Sequence, residues 1–359
     1  MFGKVRIINM TYVLQGLNFI KEGETYLITG ANGFIGSAIV NALYEFNLNC
    51  AKKKPCKIIL LVRNFKKAIQ KYGGILYDKN IDLLIVDNKE KISISEDVDW
   101  IICAAAVTKK ELIKNYPATT LIDNTFGILN CLELAKEKKV KGLLFISSVQ
   151  AYGNVSEKLI SEDNFGILNC MKEEAIYPES KRMGEMLVWA YARQYSVPAK
   201  CVRLFHVYGE GEEYNNGTFL SDFLKDIITD RDIVIKGDGS EVRNLCYIYD
   251  VVRGMFYVLH KGRAGEAYNV GSECNNYSIR DIAEIIIKAG KRVGRNKQVI
   301  VQNTDYINGK LINNQIPNVE KLKELGWRER YTNIESNFVD IIREGVTDKS
   351  QNYEDKKKT

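Results

Sequence analysis

The chain has 359 residues, 45% hydrophobic and 27% charged, with a formal net charge of +6, the balance of a soluble globular protein with ample chain for a core. Its longest apolar runs, such as Ile58 to Val62, fall far short of the about 20 residues that span a bilayer, which argues against a membrane partner. The basic residues are spread out apart from Lys356-Lys357-Lys358, so a solvated tail explains the charge better than nucleic acid does, and two histidines argue against a zinc site.

In chain order, residues 1–23 read as an N-terminal extension without a signal peptide. Tyr26–Thr29 reads as a strand, followed by an apolar stripe at helical spacing: Ile35, Ala38, Ile39, Ala42, Leu43 and Phe46. Buried strands are predicted at Ile58–Val62, Leu83–Val86, Trp100–Cys103 and Leu143–Ile146, with helices between them, notably Ile128–Lys138. This alternation is that of an α/β protein built on a doubly wound parallel sheet. The second half is less regular. Short strands read near Val202–Phe205 and Cys246–Ile248, helices at Ile279–Ala289 and Val319–Leu325, and a flexible tail over 346–359. Eight scattered cysteines with no Cys-x-x-Cys pair suggest reduced thiols, and with them a cytoplasmic protein.

Residues 30–36 read GANGFIG, directly after a strand and opening a helix. Gly30 permits the tight turn, Gly33 lets backbone approach a pyrophosphate, and Gly36 allows close helix–strand packing. The helix start supplies amides and a partial positive charge. A Rossmann-type dinucleotide site is expected, with Asn32, Phe34 and Ile35 in its loop and Ala104 and Ala105 beside it. The second strand ends in Arg63 rather than an acid. A guanidinium cannot accept from ribose hydroxyls but pairs with a 2′-phosphate, so NADP is favoured over NAD. Asp87, ending the third strand, is placed to accept from the adenine amino group.

Residues 177–181 read YPESK, which on a helix sets Tyr177 and Lys181 one turn apart on one face, with Pro178 tolerable in a first turn. Tyr257/Lys261, Tyr306/Lys310 and Tyr353/Lys357 share the spacing. Position selects Tyr177, because it follows FISSVQAYG, where Ser147 and Ser148 lie just past a buried strand at the carboxyl edge of the sheet. Alcohol oxidation by hydride transfer needs a base for the hydroxyl proton. Free tyrosine, with a pKa of about 10, needs nearby positive charge to serve. Lys181 and a cationic nicotinamide would provide it, while Ser148 would hydrogen-bond the reacting oxygen. Ser147 is placed on the cofactor.

The chain after residue 24 resembles the extended short-chain dehydrogenases of the NAD-dependent epimerase/dehydratase family. The likeness rests on the glycine loop, YPESK, Asn124 in DNTFGILN, RLFHVYG at 203–209, GDGSEVRNLCYIYD at 237–250, AYNVGS at 267–272 and KELGW at 323–327. The resemblance implies a Ser148, Tyr177, Lys181 triad, with Lys181 also on the nicotinamide ribose. It implies Arg243 on the diphosphate of a nucleoside-diphosphate sugar, and Thr108 and His206 on the substrate side. The division it suggests is a Rossmann domain over 24–202, with returning segments near 203–209 and 244–272. A smaller C-terminal substrate-binding lobe would be formed by 210–243 and 273–345. His206 stands where the family usually has asparagine, and Glu210 where it has proline. Sugar dehydratases of the family carry an Asp-Glu pair after the catalytic hydroxyl and sugar-acid decarboxylases a glutamate, where this chain has Val149 and Gln150. The pattern around 216–250 looks closest to the decarboxylases. The leading expectation is a nucleotide-sugar epimerase working through a transient keto sugar. Its rivals are a 4,6-dehydratase, a decarboxylase and a keto-sugar reductase. A non-catalytic dinucleotide sensor or RNA-binding relative is the rival of another class, against which the intact triad argues. A homodimer through helices near 120–138 and 179–195 is expected by analogy.

Overall fold

The computed structural model describes residues 13–51, 53–87, 89–214, 217–302 and 316–355, with side chains as far as residue 347. The chain runs β1 (Thr25–Thr29), α1 (Phe34–Asn49), β2 (Lys57–Val62), α2 (Phe65–Tyr72), β3 (Ile81–Ile85), β4 (Trp100–Cys103), α3 (Lys110–Asn115), α4 (Pro117–Lys138) and β5 (Gly142–Ser148). It continues through β6 (Leu159–Ile160), α5 (Ile176–Tyr195), β7 (Ala199–Leu204), β8 (His206–Tyr208), α6 (Phe219–Ile228), β9 (Ile233–Lys236), β10 (Val242–Tyr247) and α7 (Ile248–Lys261). The last elements are β11 (Ala267–Val270), β12 (Asn276–Ser278), α8 (Ile279–Arg292), β13 (Val299–Gln302), β14 (Ile316–Pro317), α9 (Glu320–Glu324) and α10 (Ile334–Asp355).

Seven strands form one sheet in the order β11-β7-β5-β4-β1-β2-β3, every neighbouring pair parallel. Parallel sheets need both faces covered, and β2 shows how the sequence meets that need. Ile58, Leu60 and Val62 point into a core shared with α1 and α7, while Ile59 and Leu61 point into a core shared with α4 and α5. Strand order reverses between β1 and β4, which opens a crevice at their carboxyl ends.

Beyond this sheet, β8, β10 and β12 form a three-stranded sheet, β9 pairs with β13, and α6 and α10 pack on α8. The KELGW segment anchors there. Trp327 is fully buried and donates its indole N–H to the Asp250 carbonyl at 3.1 Å, and the Asp250 carboxylate accepts from the backbone N–H groups of Arg330 and Tyr331. At the other end of the chain, Val13, Leu14, Leu17 and Ile20 are buried in the main core, so the described part of the N-terminal extension is packed.

Two helices run well beyond the sequence-based expectation. Helix α4 begins at Pro117, eleven residues before the apolar stripe from Ile128, because its first turns bury the polar Asp123 and Asn124. Residues 346–355, polar enough to suggest a frayed tail, continue α10, since no proline or glycine interrupts the backbone after Gly345. The Lys356-Lys357-Lys358 cluster lies outside the described residues. Among those described, no helix is long and apolar enough to cross a membrane.

Candidate active site

The crevice beside β1 holds a cavity of about 460 Å³. Gly30, Asn32, Gly33, Phe34, Ile35, Gly36, Arg63, Asp87, Ala104, Ala105 and Thr108 all line it. Gly30 has φ +64°, and a Cβ there would stand 2.7 Å from the Ala105 backbone. A Cβ on Gly36 would stand 2.4 Å from the Gly30 carbonyl oxygen, so the turn closes only around bare glycines. Helix α1 starts at Gly33 with no side-chain cap and no acid in its first turn, whereas Asn64, Thr218 and Ser278 cap α2, α6 and α8. Its first amides are therefore left to an anion. The buried Asn32 Oδ1, which lacks a hydrogen-bond partner, offers an acceptor at the same place. The glycine turn and the uncapped amides fit the pyrophosphate of a dinucleotide, whereas the Asn32 oxygen fits a donor group beside it and not the anion. Arg63 is half exposed with Nη1 3.8 Å from Asp123 of α4, and the exposed Asp87 accepts from the backbone N–H of Lys89 at 3.0 Å.

Ser148, Tyr177 and Lys181 lie next to this cavity's sheet edge but are not part of its lining. The Ser148 hydroxyl lies close enough to the Tyr177 phenol to favour its ionisation, and Ser148 Oγ accepts from the Gln150 backbone N–H at 3.2 Å. Lys181 is buried, its Nζ donating to the Ile146 carbonyl at 2.7 Å and lying 5.6 Å from the centre of the Tyr177 ring. Burial lowers its pKa to about 8. Here the structure differs from the sequence argument. Burial pushes the Tyr177 phenol up to about 12, the nearby Ser148 hydroxyl acting in the opposite direction. Taking a phenolate out of water outweighs the help of an ammonium that is turned toward a carbonyl.

Ser147 corrects another expectation, because its hydroxyl donates to Glu185 rather than into the crevice. Glu185, one turn beyond Lys181, forms a two-pronged ion pair with Arg203 of β7, whose guanidinium also donates to the Glu162 carbonyl at 2.8 Å. His206 is half-buried on β8, its ring edge-on to Phe219. Arg243 on β10 is paired with Glu241, the residue just before that strand. The sequence singled out Asn124 without a use. In the structure Asn124 Oδ1 accepts from the Val107 N–H at 2.7 Å and its Nδ2 donates to Ser180 Oγ at 3.1 Å, tying the loop after β4 to the helix that carries Lys181. Thr29 Oγ1, accepting from the Ala105 N–H at 3.1 Å, fixes the same loop and carried no sequence signal.

A seven-stranded parallel sheet, a glycine turn at its switch point and a Ser-Tyr-Lys set two strands over define an extended short-chain dehydrogenase/reductase. The chain belongs to the NAD dependent epimerase/dehydratase family, whose model matches residues 26–271. It is 26% identical over 321 residues to UDP-glucuronic acid decarboxylase 6 of Arabidopsis thaliana, covering 88% of each chain. It is 28% identical over 320 residues to the dTDP-D-glucose 4,6-dehydratase of Homo sapiens, covering 85% of each. Among solved structures it resembles UDP-N-acetylglucosamine 4-epimerase from Methanobrevibacter ruminantium M1, with a TM-score of 0.76, 17% identity and 91% and 100% of the two chains covered. The dTDP-glucose 4,6-dehydratase of Bacillus anthracis in complex with NAD gives 0.70 at 22% identity, covering 89% and 96%. These two likenesses show the fold. The protein is an enzyme of an NAD-dependent family that modifies nucleotide sugars.

Proposed function

We propose that the enzyme is a nucleotide-sugar epimerase that works through a transient keto sugar. The observation that carries this reading is a complete Ser148-Tyr177-Lys181 set with no carboxylate at the two positions after Ser148, the nearby Glu185 being tied up in its ion pair with Arg203. Val149 is buried and Gln150, which cannot ionise, is exposed at the position next along. Glu173 and Glu174 are exposed before α5, and Glu210 lies half-buried against Tyr247 and Tyr249 past β8, its Oε2 without a hydrogen-bond partner. A bound nicotinamide dinucleotide would supply hydride acceptance and return. Gly30, Gly33 and Gly36 with the α1 amides would hold its pyrophosphate, and Lys181 its nicotinamide ribose. Tyr177 takes the sugar hydroxyl's proton while Ser148 holds the oxygen, and gives it back once the ketone has turned its other face. Thr108, His206 and Arg243 would meet the substrate, Arg243 exchanging Glu241 for the diphosphate.

Products from a panel of nucleoside-diphosphate sugars should have the mass of their substrates. Loss of water establishes a dehydratase and a gain of two hydrogens a reductase, and either overturns the proposal. A second reading, decarboxylation, is favoured by the likeness to UDP-glucuronic acid decarboxylase. A uronic acid oxidised next to the carbon that bears its carboxylate is a β-keto acid. It loses carbon dioxide without a dedicated side-chain acid, so the set found here would suffice. Release of carbon dioxide from a uronic-acid nucleotide alone would decide for it.

Arg63 favours NADP. It lines the cavity and would give up only a loose, half-exposed pair with Asp123 to gain a 2′-phosphate. A charge-assisted contact of this kind is worth about 1.5–3 kcal/mol, so Arg63→Asp should erase or reverse the preference in calorimetric titrations with both dinucleotides. Equal wild-type affinity for the two removes the idea. A homodimer is supported by exposed Leu121, Ile122 and Phe126 on α4 beside Met183, Met186 and Trp189 on α5, apolar groups that water would otherwise hydrate. Equilibrium sedimentation should give twice the chain mass, and a single-chain mass at micromolar concentration rejects it. The eight cysteines are all free, which suits a cytoplasmic place.

A further inference from the structure

We infer that Glu213 bridges the two walls of the cofactor crevice and retains the dinucleotide bound there, an inference that rests on the cofactor assignment above. Glu213 lies between β8 and α6, outside every motif of the sequence, yet its side chain lines the cavity. Its carboxylate accepts a charge-assisted hydrogen bond from Lys67 of α2 and lies 3.5 Å from Lys109, just before α3. Lys67 follows β2 and Lys109 follows β4, the two strands that flank β1 in the sheet. The trio therefore spans the switch-point crevice from wall to wall. A lone carboxylate at that mouth would repel a pyrophosphate. With two lysines the trio keeps a net positive charge, so the bridge closes the crevice without opposing an anion inside.

The segment that carries Glu213 is anchored on one side and turned by glycines on both. At its root the half-buried Glu210 lies against Tyr247 and Tyr249. On either side of Glu213, Gly211 has φ +86° and Gly217 φ +78°, backbone states that side-chain-bearing residues rarely adopt. The chemistry gives the bridge its use. A reaction that returns its hydride to the same sugar leaves the dinucleotide as it began, so slow exchange does not limit turnover. A net reductase would be throttled by the same bridge.

The test is the rate at which bound reduced dinucleotide is displaced by excess oxidised dinucleotide, read by fluorescence in wild type, Glu213→Gln, Lys109→Met and the double variant. Two largely exposed ion pairs predict release about three- to thirtyfold faster in Glu213→Gln. Raising the ionic strength should speed wild-type release more than that of the variant, since exposed pairs are screened. If Lys109 acts through Glu213, the double variant releases no faster than Glu213→Gln. Additive acceleration means that the lysine binds the ligand directly, and overturns the bridge, as does wild-type release in Glu213→Gln. A wild-type protein that takes up neither dinucleotide overturns the cofactor assignment and this inference with it.

Discussion

Tyr177→Phe should lower turnover by about a hundred- to ten-thousandfold and leave dinucleotide content unchanged. The substitution removes one oxygen, the one beside the Ser148 hydroxyl, and keeps a half-buried ring that packs as before. Without the cofactor, burial holds the phenol near 12, so at neutral pH it carries its proton. A phenolate that is scarce at pH 7 becomes commoner as pH rises, so wild-type turnover should climb on the alkaline side and the phenylalanine variant should lack that limb. A cationic nicotinamide near the ring moves the limb to lower pH, in the direction that positive charge always moves a phenol. Lys181→Met should move it back up and weaken dinucleotide binding too. Steady-state rates between pH 6 and 10, with dinucleotide measured after acid release, check both variants. A Tyr177→Phe enzyme with more than a tenth of wild-type turnover would falsify the assignment of the base.

Arg203→Ala should cost about 3–5 kcal/mol of stability, the usual penalty for leaving one partner of a buried pair alone. Arg203 and Glu185 side chains are 16% and 14% exposed, with contacts of 2.7–3.2 Å between them. The same guanidinium holds the Glu162 carbonyl and lies 4.5 Å from the centre of the Tyr152 ring, while Glu185 accepts from Ser147. The pair thus fastens α5 and the segment after β5 to β7, on either side of Ser148. Losing it should lower turnover as well as stability. Urea denaturation gives the number, and a change below about 1 kcal/mol contradicts the network. Arg203→Met combined with Glu185→Leu should recover much of the stability, because it removes the orphaned charge along with the attraction.

Much of this was open to reading from local pattern. The strands Ile58–Val62 and Trp100–Cys103 sit where their apolar runs put them, since a strand buried on both faces has to be an unbroken apolar run. Position in the chain also separated Tyr177/Lys181 from its look-alikes. Tyr257/Lys261 turns out to sit on α7 beside Phe19, its lysine bonding the Leu325 carbonyl, while Tyr306/Lys310 and Tyr353/Lys357 reach outside the described residues. The glycine loop was legible for the same reason as the strands. Its demands, a positive φ at Gly30 and a bare Cα at Gly36, are set by neighbours within a few residues.

What the sequence determined alone, then, is whatever depends on short-range period and spacing: the sheet strands, the glycine turn, and the Tyr177/Lys181 face of one helix. Tertiary structure decided which partner each charged or hydroxyl group meets. Ser147 was placed on the cofactor and meets Glu185, Arg63 meets Asp123 sixty residues away, and Glu213 meets Lys67 and Lys109 across the crevice. Tertiary burial also set the direction of the Tyr177 shift. Charge and desolvation act through space over several ångströms, and the fold brings distant segments to that range in ways no local pattern records.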